Sequence, residues 1–370
     1  MSSLPHYLLP DSAQVHADGH LYIGGCDVVE LAKTHGTPLF VYDEEHLRAR
    51  CREAVNAFGE GVAYASKAFL CKAMAKLAHE EGMCLDVASG GELYVARAAG
   101  VPADRLILHG NNKSTQELEF ALKEGIGRIV IDSFDELDRV ESLVAGGLSA
   151  PKVMVRITPG VEAHTHEFVK TGQEDSKFGL SVASGAAKRA VEKVKASAHM
   201  SLVGLHAHIG SQIFTTSSFA KAIDVIAPLL QDLDIPELCI GGGLGVPYVE
   251  GESAPTISEW AATVKDAAKQ TGLDVRLSAE PGRCIVALAG LTVYQVGTIK
   301  DVAGIRTYVA VDGGMSDNPR PVLYGSGYET FLPRAVNADR ERNIRLVGKH
   351  CESGDMLVAE GRVPQDLAVN

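Results

Sequence analysis

Short apolar runs alternate along the chain with longer stretches whose apolar residues recur at three and four positions. Runs begin at Val62 (VAYAS), Cys84 (CLDVAS), Leu106 (LILHG), Arg128 (RIVIDS) and Lys152 (KVMVRI), so their starts lie 22, 22, 22 and 24 residues apart. Three more begin at Leu202 (LVGLHAHIG), Glu237 (ELCIGGG) and Val275 (VRLSAEPG). Near-continuous apolar runs of this length are what buried parallel strands look like. The stretches between them, such as KAFLCKAMAKLAHEEG and GELYVARAAG, carry helical spacing and close at glycine, a common helix C-cap. Eight β–α units predict an α/β fold, a (β/α)8 TIM-type barrel over residues 41–285. A doubly wound open sheet is the rival, but it more often has fewer strands. The widest gap, residues 158–201, holds polar loop residues and one helix, AAKRAVEKVKA.

Beyond residue 286 the pattern changes. LTVYQVGTI, TYVAVDGG and IRLVGKHC read as strands with no amphipathic helix between the first two. Residues 1–40 also read as β with one short helix (HLYIGGCD, VVELAKTHG, TPLFVYD). The expected organisation is an N-terminal segment, 1–40, joining a C-terminal β-rich domain, 286–370, with the barrel between them.

Composition narrows the class. The 370 residues are 46% hydrophobic and 22% charged, ordinary for a folded globular protein and unlike a disordered or fibrous chain. No run approaches the ~18 uninterrupted apolar residues of a membrane span, so no membrane association is expected. The start, Met1-Ser-Ser-Leu-Pro-His, lacks a basic stretch and an apolar core and does not read as a secretory signal. The net charge of −12, without a Lys/Arg cluster, argues against a nucleic-acid partner. The cysteines at 26, 51, 71, 84, 239, 284 and 351 are odd in number and contain no C-x-x-C pair. That excludes a full disulfide framework and favours a reducing, cytoplasmic location. All but Cys351 are expected to be buried small apolar residues. Neither H-E-x-x-H nor Cys/His finger spacing occurs, so no metal site is read.

Active sites of such barrels sit at the C-terminal strand ends. Those ends carry Ser66-Lys67, Asp86-Val-Ala-Ser89, His109-Gly-Asn, Arg156, His206-Ala-His208-Ile-Gly-Ser211, Gly241-Gly-Gly243 and Glu280-Pro-Gly-Arg283. Lys67 is a solvent lysine or a Schiff-base lysine, since a partly buried amine is easily neutralised and then nucleophilic. Gly241–Gly243 form a tight turn or a backbone cradle for phosphate, with Arg283 as a neighbouring anion ligand. Glu280 is a salt-bridge partner or the group that keeps a pyridine nitrogen protonated. His208 is a core histidine or a flat ring stacked on a cofactor. Asp86 and Glu92 orient Lys67 or Arg156, or form a structural ion pair. A lysine, a ring, a phosphate cradle and a carboxylate at separate strand ends jointly suggest pyridoxal phosphate.

Tyr64-Ala-Ser-Lys67-Ala, Gly204-Leu-His-Ala-His-Ile-Gly-Ser-Gln212, Gly241-Gly-Gly243, Glu280-Pro-Gly-Arg283, Asp312-Gly-Gly-Met, Arg320-Pro-Val-Leu-Tyr324-Gly and Cys351-Glu-Ser-Gly-Asp355 resemble the diaminopimelate decarboxylase family. That family belongs to the fold-type III pyridoxal-phosphate enzymes, with ornithine decarboxylase and alanine racemase as relatives. The motifs run from about residue 20 to about 357, nearly the whole chain. The resemblance implies the decarboxylation of meso-2,6-diaminopimelate to L-lysine, the last step of lysine biosynthesis. Lys67 would then carry the cofactor and His208 would stack on its ring. Ser211, Gly243, the backbone around Gly282, and Arg283 would hold its phosphate end, and Glu280 its ring nitrogen. Arg283, Arg320 and Tyr324 would bind substrate carboxylate, Glu352 the distal ammonium, and Cys351 would donate the proton. Cys351 and Glu352 would reach into a partner subunit, implying a homodimer with shared active sites.

The resemblance also marks departures. The chain stops 15 residues past Asp355, where relatives continue for some tens of residues, so an incomplete β-domain is expected. Asp312-Gly313-Gly314 stands where relatives usually have Asp-Ala-Gly. Lys177-Phe-Gly reads as a loop near the substrate mouth, and His164 and His166 as exposed loop residues. The alternatives are a decarboxylase of arginine, ornithine or carboxynorspermidine, a non-catalytic pyridoxal-phosphate binder, and a cofactor-free lysine aldolase. Arg320 argues against the first, because a substrate without a distal carboxylate would leave it unpaired. The presence of Lys67, His208, Glu280 and Cys351 argues against the second. The aldolase would need no pyridine-facing Glu280.

Overall fold

The computed structural model describes residues 3–161 and 175–369; His164 and His166 lie outside the described residues. The chain divides into two compact units. One comprises Arg48–Gly245 and Ala254–Val286, the other Met1–Leu47, Val246–Ser253 and Ala287–Asn370.

The first unit is the expected barrel. Its strands are β1 (Ala63–Ala65), β2 (Cys84–Val87), β3 (Leu106–Leu108), β4 (Arg128–Ile131), β5 (Lys152–Thr158), β6 (Ser201–Ala207), β7 (Glu237–Cys239) and β8 (Arg276–Ser278). Each pairs in parallel with the next in chain order. The ring closes where the Ala63 and Ala65 amides donate to the carbonyls of Ala279 and Pro281, both at 3.0 Å. A helix follows each of β1 to β7, and several start on designed-looking caps. Ser114 with Glu117 and Thr256 with Glu259 form full capping boxes, which satisfy amides that the first helical turn cannot pair.

Period-two alternation builds the barrel interior. Ala63, Cys84, Ile107, Val130, Met154 and Cys239, from six different strands, pack into one buried cluster. Two positions further along stand Asp86 on β2, His109 and Asp132 just past the ends of β3 and β4, and Arg156 on β5. A strand repeats its face every second residue, so an apolar layer is followed toward the C-terminal end by a polar one. β6 shifts register between Leu202 and Gly204. A Cβ on Gly204 would come within 2.8 Å of the Met154 side chain. Glycine there leaves room for methionine to fill the layer.

The second unit pairs the N-terminal segment with the C-terminal part. Leu39–Tyr42 runs antiparallel to Gly290–Val293, and Leu4, Leu9, Leu21, Ile23, Val28, Val41, Val293 and Val336 share one core. A four-stranded sheet follows, β9 (Val296–Val302), β10 (Arg306–Val311), β11 (Arg342–Val347) and β12 (Met356–Val363), with a parallel pair at its centre. Its core is Val309, Ile344, Val363 and Leu367.

Two readings of the sequence need correction. The helical stretch starting at Lys67 is broken: a 3-10 turn, Ser66–Ala68, precedes an extended Phe69, and the helix runs Lys72–Glu80. The Tyr64 hydroxyl, donating to the Phe69 carbonyl at 2.6 Å, holds the break. Cys71 and Cys26 are exposed, not buried, and Cys284 is only partly buried. Cys71 stands at the N-cap of the Lys72–Glu80 helix, its sulfur accepting from the Met74 amide at 3.5 Å. Cys26 opens a two-residue strand at a glycine turn.

Candidate active site

Lys67 leaves β1 in the Ser66–Ala68 turn, and the turn is clamped from below. The Ser66 hydroxyl donates to Glu92 Oε2 at 3.3 Å, and the same oxygen accepts the Ala88 amide at 2.6 Å. The Lys67 side chain is exposed and, among the described residues, its amine has no hydrogen bond or salt bridge. Its charge reaches Asp86 and His208.

Glu280 follows β8 and is 5% exposed. Its Oε1 lies 2.9 Å from His109 Nε2 and its Oε2 lies 2.9 Å from His206 Nε2. Burial opposes ionisation of this carboxyl, but His109 and His206 outweigh it and hold Glu280 well below the usual carboxylate range. Burial raises the Asp86 carboxyl, against the pull of His109. Burial lowers the Arg156 guanidinium, against the pull of Asp132, and the group stacks 4.4 Å from the centre of the Phe178 ring. Phe178 belongs to the Lys177-Phe-Gly segment, whose Gly179 amide donates to Asp132 Oδ1 at 2.6 Å.

His208 is partly exposed, and its Nδ1 accepts the Gly242 amide at 3.2 Å. Burial, then the Lys67 charge, pushes its imidazole well below the usual histidine range, so the ring is neutral. The glycines after β7 have no room for side chains. A Cβ on Gly242 would meet the Glu280 carbonyl oxygen at 2.3 Å, and one on Gly243, at φ +118°, would meet the Gly210 carbonyl oxygen at 2.2 Å. Ile213 and Gly243 are joined by a backbone hydrogen bond of 2.9 Å, which ties the loop after β6 to the loop after β7. Arg283 Nη2 donates to the Ser211 hydroxyl at 3.0 Å, and Gly282 packs against Ala65 and Ala68.

Lys67, His208, Ser211, Gly243, Glu280, Gly282 and Arg283 therefore all stand at C-terminal strand ends of one barrel. The set fits pyridoxal phosphate on chemical grounds. It offers an unpaired amine, a neutral flat ring, an ionised carboxylate and a close-packed glycine backbone beside a serine and an arginine.

Arg320, Tyr324, Cys351 and Glu352 belong to the second unit. Arg320 opens a short helix, Arg320–Tyr324, and its guanidinium lies 5.2 Å from the Tyr324 ring centre and 5.8 Å from that of Tyr248. Arg320 Nη2 also donates to the Ser326 hydroxyl at 3.2 Å. Cys351 and Glu352 are exposed on a turn organised by buried Asp355, which accepts the amides of Met315 at 2.6 Å and His350 at 2.7 Å. At Gly313 a Cβ would fall 2.1 Å from the Tyr294 ring, so glycine here is sterically required by the arrangement of that tyrosine.

The sequence reading assigned no task to His109, His206 or Asp132. Their signal was available: each polar residue follows the apolar layer by two positions or shares its strand face.

The match to known proteins agrees with this geometry. Residues 44–287 match the model of the pyridoxal-dependent decarboxylase family, pyridoxal binding domain. The diaminopimelate decarboxylase of Mycobacterium tuberculosis is 48% identical over 370 residues, covering 94% of this chain and 83% of that protein. That of Bacillus subtilis is 45% identical over 373 residues, covering 96% and 85%. The crystal structure of diaminopimelate decarboxylase from M. jannaschii in complex with L-lysine superposes with a TM-score of 0.87 at 30% identity, covering 97% of this chain and 86% of that one. With this identity spread along nearly the whole chain, on a shared fold, the chain belongs to the diaminopimelate decarboxylases, within the pyridoxal-dependent decarboxylases.

Proposed function

We propose that this chain removes carbon dioxide from meso-2,6-diaminopimelate and releases L-lysine, using pyridoxal 5'-phosphate held at the mouth of the barrel. The observation that carries the reading is the buried Glu280 carboxylate just after β8, ionised between two histidines, at the same C-terminal barrel end as Lys67 after β1. When bound, pyridoxal phosphate supplies an aldehyde that condenses with amines and a ring that accepts the electron pair left by departing carbon dioxide.

Lys67 Nζ supplies the amine that anchors the cofactor. Glu280 holds a proton at the ring nitrogen, which strengthens the ring as an electron acceptor. His208, its ring oriented by the Gly242 amide, would stack on the cofactor and keep water from it. Ser211, Gly243, the backbone at Gly282, and Arg283 hold the phosphate end. Arg283, Arg320 and Tyr324 bind the substrate carboxylate, and Glu352 binds the distal ammonium. Cys351 Sγ delivers a proton to the carbon that carried the lost carboxylate.

The same reading includes a cytoplasmic homodimer in which Cys351 and Glu352 complete the partner's site. Exposure of both side chains on their own unit supports this. Alkylation of Cys351 should slow as protein concentration rises through the dimerisation range; a rate independent of concentration argues against the shared site.

The test of the reaction is a borohydride reduction of purified protein followed by peptide mapping, with carbon dioxide and lysine measured on addition of meso-diaminopimelate. The label should sit on Lys67 and both products should appear. An unlabelled Lys67, or release of carbon dioxide from ornithine or arginine in preference, would reject the assignment.

A further inference from the structure

The reaction as described leaves two buried histidines without a task. His109 is 5% exposed and His206 is 1% exposed, and their rings meet edge to face at 4.8 Å between centres. Each faces a different oxygen of Glu280 at 2.9 Å through Nε2. An ionised carboxylate only accepts hydrogen bonds, so each Nε2 carries the proton. His206 Nδ1 is buried and, among the described residues, has no hydrogen-bond partner. A proton there would be a buried donor without an acceptor, so His206 is the neutral Nε2–H tautomer.

We propose that His109 and His206 are positioning residues for Glu280: two imidazoles whose Nε2–H groups each fix one carboxylate oxygen and aim the group before the cofactor's ring nitrogen meets it. This rests on the decarboxylase reading above and deepens it. The other titratable and charged groups around the cluster are Lys67 after β1, Asp86 on β2, Arg156 on β5, His208 after β6 and Cys239 on β7. Asp86 is the competing acceptor, but its Oδ1 is 3.8 Å from His109 Nε2, beyond hydrogen-bond range, so the proton of His109 belongs to Glu280. Burial lowers His206 to about 4, which keeps it a donor without adding charge.

The test compares His109→Leu and His206→Leu, which remove a donor, with His206→Gln, which keeps an amide donor. Nitrogen NMR of the wild-type apoprotein should show a proton on Nε2 of both rings, with His206 as the neutral tautomer at about pH 7. Pyridoxal phosphate affinity should fall roughly tenfold or more in each leucine variant, as expected for losing one hydrogen bond to a charged group, and recover in His206→Gln. The pH profile of the bound cofactor's visible absorption should shift in the leucine variants only. An Nε2 without a proton on either ring in the apoprotein, or wild-type affinity and pH profile in both leucine variants, would overturn the proposal. Stoichiometric zinc in the purified protein, absent from both leucine variants, would also overturn it, because the three ligand atoms lie within 4.8 Å of one another. Should a leucine variant fail to fold, the NMR result and the glutamine variant still decide. Failure of the wild-type protein to bind pyridoxal phosphate would reject the decarboxylase reading itself. Unaltered affinity among variants of a protein that does bind it rejects only the role of the histidines.

Discussion

Lys113 Nζ lies 2.7 Å from Glu136 Oε1, with both side chains almost fully buried. The lysine also donates to the carbonyls of Gly110 and Val130, both at 2.7 Å, and Glu136 Oε2 accepts the Asp132 amide at 2.8 Å. The pair ties the loop after β3 to the first turn of the Phe134–Ala145 helix that follows β4. Burial lowers Lys113 and raises Glu136, in each case against the pull of its partner, so neither charge is stable there alone.

Breaking that pair should be costly, and replacing it should not. Lys113→Met or Glu136→Leu alone is expected to lose about 3–5 kcal/mol of stability by leaving a buried charge uncompensated. The double variant should recover most of the loss. Urea denaturation of the three proteins checks this, and single variants within 1 kcal/mol of wild type, taken as roughly the median for exposed pairs, would show that the pair is not desolvated.

The glycine cradle gives a steric prediction. Gly242→Ala would place a Cβ 2.3 Å from the Glu280 carbonyl oxygen, a distance that forces the β7 and β8 loops apart. Loss of cofactor binding with a large drop in stability is expected. Gly91→Ala, in the Gly90–Ala98 helix, meets only the Ser89 hydroxyl at 3.8 Å and should be neutral or stabilising by about 0.5–1 kcal/mol. Thermal melts and a cofactor titration separate the two.

Stability should depend on pH through His206. Its folded pKa is lowered to about 4 by burial, and the unfolded histidine titrates near its ordinary value of about 6.5. Between those values the unfolded chain binds a proton that the folded chain refuses. Stability therefore rises with pH across that window, by roughly 3 kcal/mol from this group, and is flat above it. His208 acts in the same direction. Glu280, held well below the usual range, contributes stability that is lost only at more acidic pH. Urea midpoints of wild type and His206→Gln between about pH 4.5 and 7.5 test the sign. An equal slope in the two proteins would remove His206 as its source.

Arg320 carries the expected discrimination. Arg320→Met should raise KM for meso-diaminopimelate by roughly a hundredfold, the loss expected when a charge-assisted pair is removed. Arg320→Lys should rescue it only in part, since an ammonium cannot form the planar fork. Steady-state kinetics with both variants provides the check; an unchanged KM would move the carboxylate site elsewhere.

Asp355 organises the turn bearing Cys351 and Glu352, so its effect should be felt there first. Asp355→Ala leaves the Met315 and His350 amides without their acceptor and should cost about 1–3 kcal/mol. Faster alkylation of Cys351 in the variant is the local signature. An unchanged thiol rate and melting temperature would show that the two hydrogen bonds do not hold the turn.

Much of the barrel is legible in the linear pattern. The starts of the first five strands, at nearly constant spacing, match β1 to β5 because a parallel strand and its return helix need a nearly fixed length of chain. The helix AAKRAVEKVKA occupies Ala186–Ala196 as expected. The break after Lys67 was not legible, because residues 67–82 have good helical spacing. What overrides it is the Tyr64 hydroxyl capturing the Phe69 carbonyl, a contact between side chain and backbone that propensity cannot register. Exposure of Cys71 follows from the same break.

By itself the sequence determined which chemical groups stand at the strand ends. Alternation sets the face of every residue, and the strand-end residues are named by the order of the chain. Only the tertiary structure decided which of those groups pair. His109 and Glu280 are 171 residues apart, and His206 and Glu280 are 74 apart. Closure of the ring between β8 and β1 is what brings distant strand ends into one layer. Protonation then follows from burial and neighbours, quantities that exist only once the chain has folded.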